Sequence, residues 1–135
     1  EATVAKTGIA PSARAFDIGT GNAAVAIRLA ERFGLTVEAV EFDPAMADLA
    51  RSRIAASAAR EAITLHEARS DAVLSTEPAF DLIVALGVTE PIGEGVRDPR
   101  ALFEGLARHL TPGGHLLWGD LVWLSEPTPP LRQIV

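Results

Sequence analysis

Apolar residues along this 135-residue chain follow two alternating periods. Ala15–Ile18 is a short apolar run closed by Gly19, the signature of a buried strand. Over Asn22–Phe33 the spacing changes to that of a helix, with Val25, Leu29, Ala30 and Phe33 on one face and Gly34 as the stop. Thr36–Phe42 alternates and is rich in β-formers. Asp43-Pro44 then opens a second helix, with aspartate as N-cap and proline in the first turn, running to about Arg60 with Met46, Leu49, Ala50 and Ile54 as its stripe. Ile63–His66 reads as a third strand. Phe80–Leu86 is a continuous apolar run of the kind found in central parallel strands. Asp98-Pro99 repeats the cap-and-proline signal before a helix with Phe103, Leu106, Ala107 and Leu110 on its apolar face. Pro112-Gly113-Gly114 ends that helix, and His115–Leu124 follows as a long fifth strand.

Strands interleaved with helices imply a parallel sheet, because parallel neighbours need right-handed crossovers. The expected fold class is α/β, a Rossmann-like doubly wound sheet of five strands in order 3-2-1-4-5 within three αβα layers. Residues 1–125 read as one domain, and the segment 126–135 as an irregular, proline-rich tail. Ligands of such sheets bind at the carboxyl ends of the strands, near the reversal of strand order. That places the loop after Ile18, Glu41, the segment around Asp71, and Leu86-Gly87 at a common site.

Composition narrows the chemistry. The net charge is −6, and the 12 basic residues are scattered, so no footprint for nucleic acid or an anionic membrane is visible. The absence of cysteine removes disulfides, thiolate metal sites and cysteine nucleophiles. No apolar run approaches the roughly 18–20 residues that span a bilayer, and no signal peptide is seen, which sets a cytoplasmic protein as the expectation.

Gly19-x-Gly21-x-x-Ala24 fits a dinucleotide fingerprint, with Glu41 placed to hold ribose hydroxyls. Asp17 conflicts with that ligand. A pyrophosphate at a helix N-terminus wants donors and positive potential, and a carboxylate two residues before the first glycine opposes it. S-adenosylmethionine reverses the requirement, because it has no phosphate and carries both a sulfonium and an ammonium group.

The stretches FDIGTGNA, VEFDPAM, ARSDAVL, FDLIVALG and LARHLTPGGHLLWGD stand in the order and spacing of class I S-adenosylmethionine-dependent methyltransferases, and residues 10–123 resemble that family. The segment from Leu86 to Trp123 further resembles a bacterial small-molecule branch. The resemblance implies that Asp17, Gly19 and Gly21 line the methionine end of S-adenosyl-L-methionine, or of its product S-adenosyl-L-homocysteine. Glu41 would accept the ribose hydroxyls, and Phe42 would lie against adenine. Asp71 with Ala72 would meet the adenine edge, and Leu86 with Gly87 would close the pocket beside the sulfonium. Two positions depart from the family pattern: Ala23 and Ser70 stand where glycine is usual.

Other polar residues have plainer readings. Asp43 is an N-cap and Asp81 is structural. His66, His109 and His115 lack ligand spacing, so no metal site is expected. Glu90 and Glu94 are candidate catalytic acids in the loop after the fourth strand, with solvated loop acids as the alternative. Trp118 reads as core, while Asp120 and Trp123 are candidates for a substrate wall. No catalytic base declares itself. Methyl transfer from a sulfonium needs mainly alignment and desolvation.

The chain lacks the Asn/Asp-Pro-Pro-aromatic segment of exocyclic-amine DNA methyltransferases, and no carboxylate cluster suggests magnesium. A small-molecule acceptor is therefore expected, with neither nucleic acid nor membrane as partner. The family resemblance also implies further C-terminal strands that this chain does not show. The apolar fifth strand would then be an open edge, to be covered by another segment, a swapped element or a second copy in a homo-oligomer. The alternatives are a methyltransferase-like cofactor-binding module without activity of its own, and a nicotinamide-dependent oxidoreductase.

Overall fold

The computed structural model describes residues 1–120. Five strands, β1 (Arg14–Ile18), β2 (Thr36–Glu41), β3 (Ile63–Glu67), β4 (Phe80–Leu86) and β5 (Leu110–Gly119), form one sheet in the order β3-β2-β1-β4-β5. Every pairing is parallel. This is the expected doubly wound topology, and the order reverses between β1 and β4.

Side-chain alternation along the strands divides the interior into two cores. On one face Ala15, Val37, Ala39, Leu82 and Val84 pack with residues of α2 (Ala24–Phe33) and α3 (Pro44–Ala56), joined by Val4 of α1 (Ala2–Ala5). On the other, Phe16, Ile18, Val40 and Ile83 meet α4 (Ser70–Leu74) and α5 (Pro99–Ala107). Phe16 and Phe80 stack at 4.9 Å between ring centroids, and the Arg14 guanidinium lies 4.6 Å over the Phe80 ring. Asp81 is structural, as expected: it accepts from the Arg14 backbone N–H and from the Thr111 hydroxyl.

The caps follow the sequence. Asp43 accepts from the N–H groups of Ala45 (2.9 Å) and Met46 (3.4 Å), and Asp98 accepts from that of Ala101. Replacing Asp43 with alanine is expected to lower stability by about 1 kcal/mol, the usual cost of losing an N-cap. Thermal unfolding measures this, and an unchanged midpoint would show that the cap contributes nothing.

Several expectations are corrected. In α3 the buried stripe is Ala47, Ala50 and Ile54, while Leu49 is 46% exposed. Alanines let the helix backbone sit close to the sheet, and this turns the helix away from the larger leucine. The helix ends at Ala56, and Arg60–Ala62 is a separate 3₁₀ turn. In α5 the buried residues are Leu102 and Leu106, and Phe103 is partly exposed, its ring edge-on to Trp118 at 5.2 Å. The short helix α4 has no counterpart in the expected elements.

Pro112-Gly113-Gly114 lies inside β5 rather than before it. The pairing with β4 shifts between Phe80 and Leu82, and β5 stands at the sheet edge among the described residues, where a strand tolerates proline and a bulge. Trp123, the expected end of this strand and the tail 126–135 lie outside the described residues. Among the described residues, no helix is long and apolar enough to cross a membrane.

Candidate functional site

The carboxyl ends of β1, β2, β3 and β4 surround a cavity of about 320 Å³, within the roughly 300–1,000 Å³ range of small-molecule sites. It lies where the strand order reverses. A second hollow of about 410 Å³ at the opposite end of the sheet is walled largely by residues 7–13, before β1, and by residues 111–115 at the start of β5. Its one acid, Asp81, already has both carboxylate oxygens engaged.

The first wall is the turn from β1 into α2. Gly19 and Gly21 have φ of 63° and 57°, the left-handed region that favours glycine. At Gly19 a side chain would also meet Val88, whose Cγ2 lies 2.7 Å from the position of a Cβ. Ala23 takes φ of 63° as well, which explains why glycine is usual there. The strain of a left-handed alanine is accepted in a turn where Asn22 Oδ1 receives the N–H of Ala24, so α2 starts two residues later than expected.

Three N–H groups of this turn are bonded within the protein. Thr20 N donates to Val40 O (2.9 Å), Gly21 N to Glu41 Oε2 (3.0 Å), and Ala23 N to Thr20 O (3.0 Å). A loop arranged in this way offers few donors to an anion.

Glu41 ends β2, is 9% exposed and lines the cavity. Its Oε1 accepts from the Asp43 N–H at 3.0 Å, and its Oε2 from Gly21. A carboxylate has about four acceptor sites, so two backbone bonds leave capacity for two hydroxyl donors. Phe42 beside it is 68% exposed, the most exposed large apolar residue among the described residues.

Asp17 is placed differently from the picture of an acid facing the ligand. It is 3% exposed, receives the Thr20 hydroxyl at 2.6 Å, and is not among the cavity-lining residues. Burial pushes its carboxyl up to about 6, against the opposing effect of hydrogen bonds from Thr20 and the Ala26 N–H.

Of the residues expected at the site, Gly19, Glu41, Phe42 and Gly87 line the cavity. Asp17, Gly21, Asp71, Ala72 and Leu86 are not among its lining residues. The Asp71 carboxylate accepts from Arg69 Nε at 3.2 Å, and Ala72 and Leu86 are exposed. The sequence reading missed Arg69, Ser70, Val88 and Thr89, which join the wall. The departure at Ser70 was a signal for one of them.

Glu90 lines the cavity, whereas Glu94 is an exposed loop residue that does not. The Arg97 guanidinium at 2.8 Å and the Gly95 N–H hold the Glu90 carboxyl below the usual carboxylate range. It stands as an anion, unsuited to proton exchange near neutrality. Trp118 is half-buried against Phe103, as expected of core, although its indole N–H has no partner among the described residues. Asp120 is exposed at the end of the described chain.

His66 is satisfied by Glu38 at 2.6 Å. Glu38, His66 and Glu77 form the one group among the described residues close enough to share an ion, and Glu77 is paired with Arg14 at 2.8 Å. His109 and His115 lie outside this group.

The family profile described as a methyltransferase domain matches residues 16–116, from β1 into β5. This chain belongs to the methyltransferase-domain family. The class I resemblance carried by its motifs is thereby confirmed.

Among curated relatives, this methyltransferase domain is similar to ribosomal protein L11 methyltransferase of Chelativorans sp. (strain BNC1), 32% identical over 123 residues, 90% of this chain and 38% of the relative. It is also similar to tRNA1(Val) (adenine(37)-N6)-methyltransferase of Aeromonas salmonicida, 35% identical over 103 residues, 75% of this chain and 42% of the relative. The domain thus spans about two fifths of the length of these curated relatives. Its fold matches a methyltransferase of Geobacter sulfurreducens solved with S-adenosyl-L-homocysteine. That match has a TM-score of 0.79 at 22% identity and covers 98% of this chain and 52% of that one.

Proposed function

We propose that this domain binds S-adenosyl-L-methionine and transfers its methyl group to an unidentified small-molecule acceptor. The observation that carries the cofactor reading is the wiring of the β1–α2 turn. Its N–H groups at Thr20, Gly21 and Ala23 are bonded within the protein, and one of them is bonded to Glu41. A diphosphate needs such donors left open. A nucleoside whose 5′ side carries a cation in place of phosphate does not. The bound product in the Geobacter sulfurreducens structure supports the same choice.

In this reading Glu41 takes the two ribose hydroxyls on its remaining lone pairs, and adenine covers the exposed ring of Phe42. Asp71 and Ala72 flank the adenine edge, and Gly21 and Leu86 complete the surroundings of the methionine chain and the sulfur. Asp17 lies one layer behind the glycine turn, and when ionised it supplies negative potential for the cationic end. The cofactor brings the reactive methyl group and a neutral leaving group. The protein's own residues hold the ribose, exclude water and align the acceptor beside Gly87, Val88 and Thr89.

The small-molecule reading rests on the net charge of −6 with dispersed basic residues. It rests also on Leu86-Gly87-Val88-Thr89-Glu90-Pro91 after β4, which offers no amide or paired prolines to an adenine amine. The curated relatives, named for a ribosomal protein and a tRNA, make those acceptors the competing outcomes.

Titration calorimetry with S-adenosyl-L-homocysteine and, separately, NAD tests the cofactor. Saturable binding of the thioether with no heat from NAD is expected. Binding of NAD in its place would overturn the reading.

A further inference from the structure

The cavity has two walls that come from distant parts of the chain. Ala68, Arg69 and Ser70 follow β3, and Gly87, Val88, Thr89 and Glu90 follow β4. Ser70 is 9% exposed, and its hydroxyl donates to the backbone carbonyl of Pro91 at 2.7 Å, a buried bond across 21 residues. Pro91 is itself fully buried.

The same segment is fixed at two other points. Val88 rests over the bare α-carbon of Gly19, and Ile92 fills the space where a side chain at position 105 would stand. The glycines at 19 and 105 are therefore sockets for the β4–α5 segment, and Ser70 is its polar fastener.

We propose that Ser70 is a positioning residue that clasps the β4–α5 segment to the end of β3, and so sets the placement of Val88 and Thr89 against the sulfur end of the cofactor. This rests on the cofactor reading above. Glycine, usual at this place in the family pattern, has no hydroxyl to make the bond, so the clasp is a feature of this chain. Without the hydroxyl, the Pro91 carbonyl is left buried and unpaired, and the segment gains by moving out toward water. The ribose and adenine-face contacts at Glu41 and Phe42 belong to other elements and stay in place, while those assigned to Asp71 and Ala72 lie on α4 beside Ser70 and are common to both ligands compared below.

The test compares ligands of two lengths on Ser70→Ala. Adenosine reaches only the β2 and β3 end, whereas S-adenosyl-L-homocysteine extends past Gly19 to Val88. Affinity for S-adenosyl-L-homocysteine is expected to fall about tenfold, in line with a buried acceptor left unsatisfied, and affinity for adenosine by less than about threefold. A general loss of folding would weaken both ligands alike.

Gly105→Ala provides a second variant, because its methyl displaces Ile92 and the same wall while leaving Ser70 intact; it should show the same ligand selectivity. Equal losses for the two ligands, or no loss, would overturn the clasp. Hydrogen exchange without ligand separates this from the cofactor reading. Segment 87–97 should exchange faster in Ser70→Ala while β1 to β3 are unchanged, and unaltered exchange there overturns the clasp. Failure of the unsubstituted protein to bind S-adenosyl-L-homocysteine would instead overturn the cofactor assignment.

Discussion

As the pH rises from about 4 through about 6, Asp17 is expected to withdraw on the order of 3 kcal/mol from folding stability, an amount that Asp17→Asn should abolish. The size follows from a carboxyl raised from 3.8 to about 6 by burial, at about 1.4 kcal/mol per pH unit. The sign follows from proton counting. Inside this window the folded state keeps a proton on Asp17 that the unfolded chain has released. Raising the pH therefore favours unfolding until Asp17 is ionised in both states. The contribution is fully present below about 4 and gone above about 6.

Denaturant unfolding at several pH values measures this, with the difference between the unsubstituted protein and Asp17→Asn as the readout, because other acids titrate over the same range. Parallel curves for the two proteins would show that Asp17 titrates alike in the folded and unfolded states and that its environment has been misjudged. A site that stores a costly carboxylate behind a ligand loop is also prepared for a cation. The asparagine variant should therefore fold more stably at neutral pH and bind S-adenosyl-L-methionine less tightly.

The second large effect belongs to Glu41. Removing its carboxylate takes the acceptor from the N–H groups of Gly21 and Asp43, and from the two ribose hydroxyls assigned to it. Glu41→Ala is expected to weaken S-adenosyl-L-homocysteine binding by roughly 1–3 kcal/mol, about 5- to 150-fold, the scale of charged hydrogen bonds. Thermal stability without ligand should fall as well, because the glycine turn loses its anchor. Glu41→Gln keeps one oxygen as acceptor but turns a donor toward a backbone N–H or a hydroxyl, so its loss should lie between. Calorimetry and unfolding together separate the two roles. An unchanged affinity in Glu41→Ala would mean that the ribose is held elsewhere.

Gly19, Glu41, Phe42 and Gly87 were legible as parts of one cavity wall because they are written in short stretches at strand ends. Asp17 lies near the end of β1, Gly19 and Gly21 lie in the turn that follows, and Glu41 ends the strand beside it, so strand alternation and the carboxyl-end rule suffice to bring them together. What was misjudged is where the acid at position 17 points. A local pattern places a carboxylate at a strand end but does not tell whether it opens to the cavity or turns beneath the helix, as it does here toward the Thr20 hydroxyl. The same limit explains Asp71, which is bonded to Arg69 and is not among the residues that line the cavity.

The sequence by itself determined the strands, their parallel order, the Asp43 and Asp98 caps and the glycine turn. Each is set by neighbours a few residues apart: apolar periodicity, a side chain that reaches its own helix, or a backbone angle that glycine tolerates. Only the tertiary structure decided which faces of α3 and α5 turn inward, where alanines at 47 and 50 allow a closer approach than leucine at 49. It alone decided that β5 begins before the Pro-Gly-Gly stretch and that Val88, Thr89 and Ser70 wall the cavity. Those outcomes depend on contacts between segments far apart in the chain, such as Ser70 with Pro91, and no local pattern records them until the sheet has brought the segments together.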